Sequence, residues 1–231
     1  MHTDPGALMI FAAGFGTRMG ALTANRPKPL LEIGGMTLLD RAIEIGRAAG
    51  MSRIVVNTHY LSEQVEAAVA GRDIAISREM PVILDTGGGL LKASSELGSQ
   101  IVFTMNPDAL HLGPNPLSVL HAAWKACNSG ALLLLVPPER AEMRKGGGDF
   151  TIGPEGALTR GGPLIYTGVQ IIDIDGLDEI PGPAFSLNVH WDNLAAEGRL
   201  RGVVYPGRWC DVGTPEALAH AGTLLEKNAD G

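Results

Sequence analysis

Short apolar runs alternate along this chain with segments whose apolar residues recur every three or four positions. The runs at 8–12, 53–57, 74–77, 101–105 and 131–136 have the length and apolar density of buried strands. Between them, 37–49 places Leu38, Leu39, Ala42, Ile43 and Ile45 on one helical face. Thr37 with Asp40 resembles a capping box carrying a shorter acid, and Gly50 supplies a stop. Further helices are expected over 62–70 with Ser62 as N-cap, 89–97 entered from a glycine loop, and 116–128. Alternation of this kind predicts right-handed βαβ units and a three-layer, Rossmann-like α/β fold. Its sheet is expected to be mixed, mostly parallel, and flanked by helices.

Beyond Pro137 the texture changes. Residues 140–162 are rich in glycine and charge, which predicts a small, flexible hairpin or lid. A strand over 168–173, a helix over 187–197, a strand over 202–205 and a closing helix over 215–227 follow, the last with Pro215 in its first turn. The reading is one domain over 1–231, with a soft subdivision into 7–136 and 137–231.

The balance of 25 acidic against 18 basic residues leaves a formal charge of −7. That disfavours a nucleic-acid or anionic-membrane binder but leaves room for one local basic pocket. The longest apolar run, Ala131–Val136, is far too short to span a bilayer. The N-terminal residues lack the charged and apolar regions of a signal peptide, so a cytoplasmic location is expected. Cys127 and Cys210 are read as reduced, since one pair is no disulfide framework.

The chemistry concentrates at expected strand ends. Phe11-Ala12-Ala13-Gly14-Phe15-Gly16-Thr17-Arg18-Met19-Gly20 follows the first strand. Gly14 and Gly16 let backbone N–H groups approach a phosphate. The spacing is close to G-x-G-x-x-G, but the third glycine falls one residue late. Arg18 can fork onto a triphosphate, and Lys28, held between Pro27 and Pro29, presents a point charge on a stiff backbone. Arg26 reads as a solvated surface cation. Asn106-Pro107-Asp108 puts a carboxylate after the strand at 101–105, and Trp209-Cys210-Asp211 offers a second. One or two carboxylates plus phosphate oxygens suit Mg²⁺, although either Asp alone also reads as a turn residue. Cys210 is rejected as a ligand, because one thiol among oxygens suits neither zinc nor magnesium.

Leu84-Asp85-Thr86-Gly87-Gly88-Gly89 could lay backbone against a flat base or ribose, or could simply form a tight turn. Asn57, at the end of the second strand, could line a nucleoside pocket, while His59 there is a weak candidate for a base. The other histidines, from His2 to His220, show no metal spacing. There is no G-x-S-x-G elbow and no G-x-x-x-x-G-K-[ST] loop. A nicotinamide site would want an acid where Asn57-Thr58 stands.

Taken together, the string from Phe11 to Thr23 followed by Pro27-Lys28-Pro29-Leu30 resembles the sugar-1-phosphate nucleotidyltransferase family. The resemblance runs over nearly the whole chain and implies the nucleotide-diphospho-sugar transferase fold. It implies that Ala12, Ala13, Gly14, Gly16, Thr17, Arg18, Asn57, Thr86, Gly87, Gly88 and Asn106 bind a nucleoside triphosphate. Arg18 and Lys28 would carry catalysis, and Asp108 and Asp211 would hold Mg²⁺. Tyr166, Thr167, Gly168 and Asn188 are expected around the sugar. Residues 84–89, with Phe185-Ser186-Leu187-Asn188 and Gly207-Arg208-Trp209, look most like the short uridylyltransferases acting on N-acetylmuramic acid 1-phosphate. Mannose-1-phosphate guanylyltransferases share much of this.

Three positions depart from the pattern. Ala21 replaces the usual proline, Pro107 a common glycine, and Asp85 a frequent Glu. A non-catalytic sugar-nucleotide-binding regulatory protein would have lost Arg18, Lys28 or one of the two Asp; all four are present. The expected partners are the two small substrates, with no nucleic acid and no membrane, on a monomer or weak homodimer.

Overall fold

The computed structural model describes residues 4–127 and 129–229. His2 and the rest of the N-terminal tripeptide lie outside the described residues, as does Asn128, the end of the helix expected over 116–128.

Successive side chains of the strand Ala7–Phe11 enter different cores. Leu8 and Ile10 join Ile43, Phe103, Leu117 and Trp124 on one face, while Ala7 and Met9 join Val55, Leu90, Val102 and Trp191 on the other. A strand apolar on both faces must be covered on both, so this pattern demands a central layer between helices. That layer is a seven-stranded sheet. Its order is Leu200–Val204, Ala131–Val136, Ile165–Asp173, Ile101–Met105, Ala7–Phe11, Ile54–Thr58 and Ala75–Arg78. Every pairing is parallel except those of Ile165–Asp173, which runs antiparallel to both neighbours. Two strands from beyond Pro137 are therefore built into the same sheet as the first 136 residues.

From Ala7–Phe11 the chain first builds outward through Ile54–Thr58 and Ala75–Arg78. It then crosses back to place Ile101–Met105 on the opposite side. Such a reversal opens a crevice beyond the strands' carboxyl ends, where their following loops part. The segments leading into that crevice are 12–28 and 106–108.

A second, three-stranded sheet was not expected. Arg208–Asp211 pairs antiparallel with Ala109–Leu112 and parallel with Ala141–Glu142. Its apolar side packs Leu110, Cys210 and Val212 against Met19, Leu38 and Leu224. These strands are too short for their alternation to register as a period.

Several boundaries differ from expectation. Thr37 does cap the helix Leu38–Ala48, its hydroxyl accepting from Asp40 N at 3.0 Å. Ser62, by contrast, is the first helical residue, and Leu61 precedes it with a left-handed φ of 48°. The helix Pro116–Trp124 stops short of 128, and the strand expected at 168 begins at Ile165. The glycines 87–89 are not an open loop. They lie inside the helix Asp85–Lys92 and are buried. Within 140–162 a hairpin forms from Phe150–Ile152 and Leu158–Arg160. It docks on the edge strand through an Ala157–Arg201 bridge and through Leu158, which approaches Gly202 so closely that a Cβ there would lie 2.7 Å from it.

Candidate active site

The glycine-rich loop is shaped by two contacts. Gly16 takes a left-handed φ of 65°, and a Cβ on it would stand 2.9 Å from the Cβ of Lys28. Only glycine meets both demands at low cost. The following 3₁₀ segment, Thr17–Thr23, is pinned by buried Met19 and by the Thr23 hydroxyl, 3.1 Å from the Gly16 carbonyl. Pro27 and Pro29 flank Lys28 in a 3₁₀ turn, and the lysine is buried at 7% exposure. Its Nζ donates to Asp108 Oδ2 at 2.6 Å.

Asp108 and Asp211 are brought together by the small sheet. Asp211 stands opposite Ala109, and Val212 N donates to the Asp108 carbonyl at 2.9 Å. Burial, and then the nearby charge of Asp108, raises the Asp211 carboxyl above the usual range. Arg18 opposes this from 3.9 Å. Two carboxylates thus share one half-buried corner, where burial outweighs the attraction of Arg18, Lys28 and Arg144. Cys210 beside them is buried, its thiol pushed up to about 12, chiefly by burial. It acts as a small apolar residue there and offers no thiolate.

Two cavities of about 330 and 360 Å³ meet at this corner. The first is lined by Ala12, Ala13, Gly14, Gly16, Thr17, Arg18, Lys28, Asn57, Thr86, Asn106 and Asp108. The second is lined by Tyr166, Thr167, Gly168, Asn188 and Asp211, together with Arg18, Thr86, Asn106 and Asp108 again. Gly87 and Gly88 line neither. Their N–H groups donate to the Phe185 carbonyl at 2.9 and 3.1 Å, and a Cβ on either would run into Phe185 or Pro183. These two expected nucleotide residues thus pack against segment 183–185, outside both cavity walls. The glycines let segment 183–185 cap the orphan donors of a helix N-terminus. His59 also lines neither cavity; its Nδ1 donates to the Glu79 carbonyl at 2.8 Å. Arg26 is half-exposed, 3.9 Å from Glu32.

Glu79 was missed. It is wholly buried, accepting from Asn57 Nδ2 at 2.6 Å and from Leu84 N at 2.7 Å, while Asn57 Oδ1 accepts from Ala12 N at 2.6 Å. This chain of bonds ties the glycine-rich loop to the loop before the helix Asp85–Lys92. Its strand-end position was the available signal. Gln170 was also missed, although a polar residue in an otherwise apolar strand is conspicuous. Buried beneath the second cavity, it donates to Thr104 Oγ1 at 3.1 Å and accepts from Trp191 Nε1 at 2.9 Å. Thr167 turns its hydroxyl to the Leu134 carbonyl at 3.0 Å, and Gly168, at φ 83°, lets Asn106 approach closely. The pairing register shifts between Tyr166 and Gln170, a bulge that re-aims side chains at the cavity wall.

A crevice at the switch point, a glycine-rich loop backed by two cations, and a carboxylate pair define an enzyme that handles phosphate esters. Residues 8–171 match the family model described as a MobA-like NTP transferase domain, and the chain belongs to that family. The chain is 35% identical to the N-acetylmuramate alpha-1-phosphate uridylyltransferase of Caulobacter vibrioides, over 98% of this chain and all of that protein. It is 32% identical to the enzyme of the same name from Neisseria meningitidis serogroup B, over 94% and 96%. It is 26% identical to the mannose-1-phosphate guanylyltransferase of Mycobacterium tuberculosis, over 94% of this chain but 63% of that one. A putative glucose-1-phosphate thymidylyltransferase from Bacillus anthracis superposes with a TM-score of 0.78 at 17% identity, over 94% of each chain, which speaks for the fold. The chain is thus a sugar-1-phosphate nucleotidyltransferase in class. Among the described residues no helix is long and apolar enough to cross a membrane.

Proposed function

We propose that this protein transfers the uridylyl group of UTP to N-acetylmuramic acid 1-phosphate and releases pyrophosphate, recycling a cell-wall sugar in the cytoplasm. The whole chain, 1–231, acts as one catalytic unit in this reading. The observation that carries it is the wall common to both cavities. A phosphate entering from either side meets Arg18, Asn106 and Asp108. Full-length similarity to two uridylyltransferases supports the choice of base and sugar.

In this reading the first cavity, with Ala12, Ala13, Gly14, Gly16, Thr17, Asn57 and Thr86, takes the nucleotide. The second, with Tyr166, Thr167, Gly168 and Asn188, takes the sugar. An oxygen of the sugar phosphate attacks the α-phosphorus in line, forming one P–O bond as the bond to the bridging oxygen of pyrophosphate breaks. The nucleophile is already anionic, so no general base is needed. Arg18 and Lys28 offset charge that builds as two polyanions converge.

The donor set fits Mg²⁺. Asp108 and Asp211 offer hard oxygens at one half-buried corner, and no group of three or more His, Cys, Asp or Glu among the described residues forms an all-protein cage. When bound to those two carboxylates, Mg²⁺ supplies counter-charge to phosphate oxygens.

A pyrophosphate-release screen of four nucleoside triphosphates against a panel of sugar 1-phosphates tests the reading. UTP with N-acetylmuramic acid 1-phosphate should give the highest kcat/KM. GTP with mannose 1-phosphate, the reading favoured by the mycobacterial relative, would replace it if that pair won. Release from no pair would end both.

A further inference from the structure

We propose that Arg160 is the specificity-determining residue for an acidic sugar, reading the carboxylate of the lactyl ether that distinguishes N-acetylmuramic acid from neutral amino sugars; this rests on the proposed function. Three guanidinium groups line the second cavity: Arg18, Arg144 and Arg160. Arg18 stands at the carboxylate corner and serves phosphate. Arg144 donates to Asp149 Oδ1 at 3.0 Å, and Asp149 Oδ2 accepts from Tyr166 N, so that pair fastens the cavity wall. Arg160 pairs instead with Asp192, whose side chain is 62% exposed against 31% for Asp149. A cavity for a neutral sugar 1-phosphate needs no third guanidinium beyond the phosphate corner.

Arg160 is held as a reader should be. Its guanidinium carbon lies 5.2 Å from the Phe150 ring centre and 5.4 Å from that of Trp191. Nη1 donates to Asn188 Oδ1 at 3.0 Å and Nη2 to the Asn188 carbonyl at 3.2 Å. Nε and Nη2 donate to Asp192 Oδ1 at 3.0 and 2.9 Å. Of its five N–H hydrogens, one on Nη1 has no protein acceptor among the described residues. Asp192 is 62% exposed at its side chain, so its attraction is screened by solvent and leaves the arginine able to take a second carboxylate. Because aromatic faces and Asn188 already fix the plane, little rotamer freedom remains to be lost on binding. Asn188 then acts by orienting Arg160 as well as by lining the cavity.

The alternative is that Arg160 merely clamps the hairpin to the helix Leu187–Ala196. The full chain, with UTP, separates these by comparing kcat/KM for N-acetylmuramic acid 1-phosphate and N-acetylglucosamine 1-phosphate. In Arg160→Gln the ratio between the acidic and the neutral sugar should fall about tenfold or more, mainly through the sugar KM. Arg160→Lys should restore part of it, and Arg144→Gln should leave the ratio where it was. An equal fall for both sugars would show a clamp, and a ratio lost in Arg144→Gln instead would assign the reading elsewhere; either overturns the proposal. Wild-type turnover of the acidic sugar with an unmoved ratio in Arg160→Gln overturns the role of Arg160 alone. Absence of wild-type turnover of that sugar overturns the proposed function and this role together.

Discussion

Lys28 Nζ lies 2.6 Å from Asp108 Oδ2, with the lysine buried and the aspartate one-third exposed. This ion pair closes the wall between two cavities and couples the proline-clamped turn to the small sheet. Both partners are needed for the transfer in our reading, so Asp108→Asn or Lys28→Met should each reduce kcat about 10²–10³-fold, measured as pyrophosphate release. Their effects on stability should not add. Each single change strands a charge and costs about 1–2 kcal/mol, less than for a fully buried pair because Asp108 meets solvent. The double variant should recover part of that in urea unfolding while remaining inactive. Additive destabilisation would mean the pair is not coupled.

Asp211 should show the opposite relation between stability and activity. Its folded carboxyl is raised, so above that value both states are ionised but only the folded protein pays for holding the charge in a half-buried site. Asp211→Asn removes that cost. The ligand-free variant should melt above wild type at pH 7, yet turn over about 10²–10³-fold more slowly. A lower melting temperature would show that the carboxylate is stabilising.

His111 makes a pH-dependent contribution. Although the residue as a whole is only partly buried, both ring nitrogens are sealed and have no hydrogen-bond partner among the described residues, and burial lowers its titration to about 4. The unfolded chain binds a proton near 6.5, so stability is fully present above that value and is lost as pH falls from there toward 4. Between pH 7 and 5 the loss should be about 1–2 kcal/mol. His111→Phe should abolish that part of the slope. Parallel wild-type and variant unfolding curves at the two pH values would refute it.

Gly88→Ala tests the packing role of the glycine run. A Cβ there would run into the Pro183 carbonyl, forcing segment 183–185 outward. Overpacking of this kind costs about 1–3 kcal/mol, or roughly 2–4 °C in Tm per kcal/mol for a chain of this size. Because Leu187 N donates to Thr86 Oγ1 at 3.0 Å, the displacement should also raise the sugar KM. A rise in the nucleotide KM alone, with Tm unchanged, would return these glycines to the nucleotide.

These outcomes depend on different depths of reading. The strands from Ala7–Phe11 to Ala131–Val136 were legible because each is an apolar run of strand length. The cation pair Arg18 and Lys28 was legible because loop glycines and flanking prolines leave a local signature. The surroundings of glycines 87–89 were not legible, because a glycine run looks the same whether it faces a ligand or a packed backbone. Arg160 left no trace, since an arginine in a charged hairpin gives no periodic or positional signal.

By itself the sequence determined the alternation of strand and helix, the glycine-rich loop and the four charged groups on offer. These are properties of neighbouring residues, set by backbone sterics and by periods of two and 3.6. Only the tertiary structure decided that Ile165–Asp173 runs antiparallel between two strands from before Pro137. It also decided that Asp211 faces Ala109, bringing two distant carboxylates to one corner, and that Arg160 settles on Phe150 and Trp191. The physical reason is that cross-strand register and the docking of a hairpin arise from burying surfaces contributed by remote segments, and no local pattern in the chain encodes which remote surface it will meet.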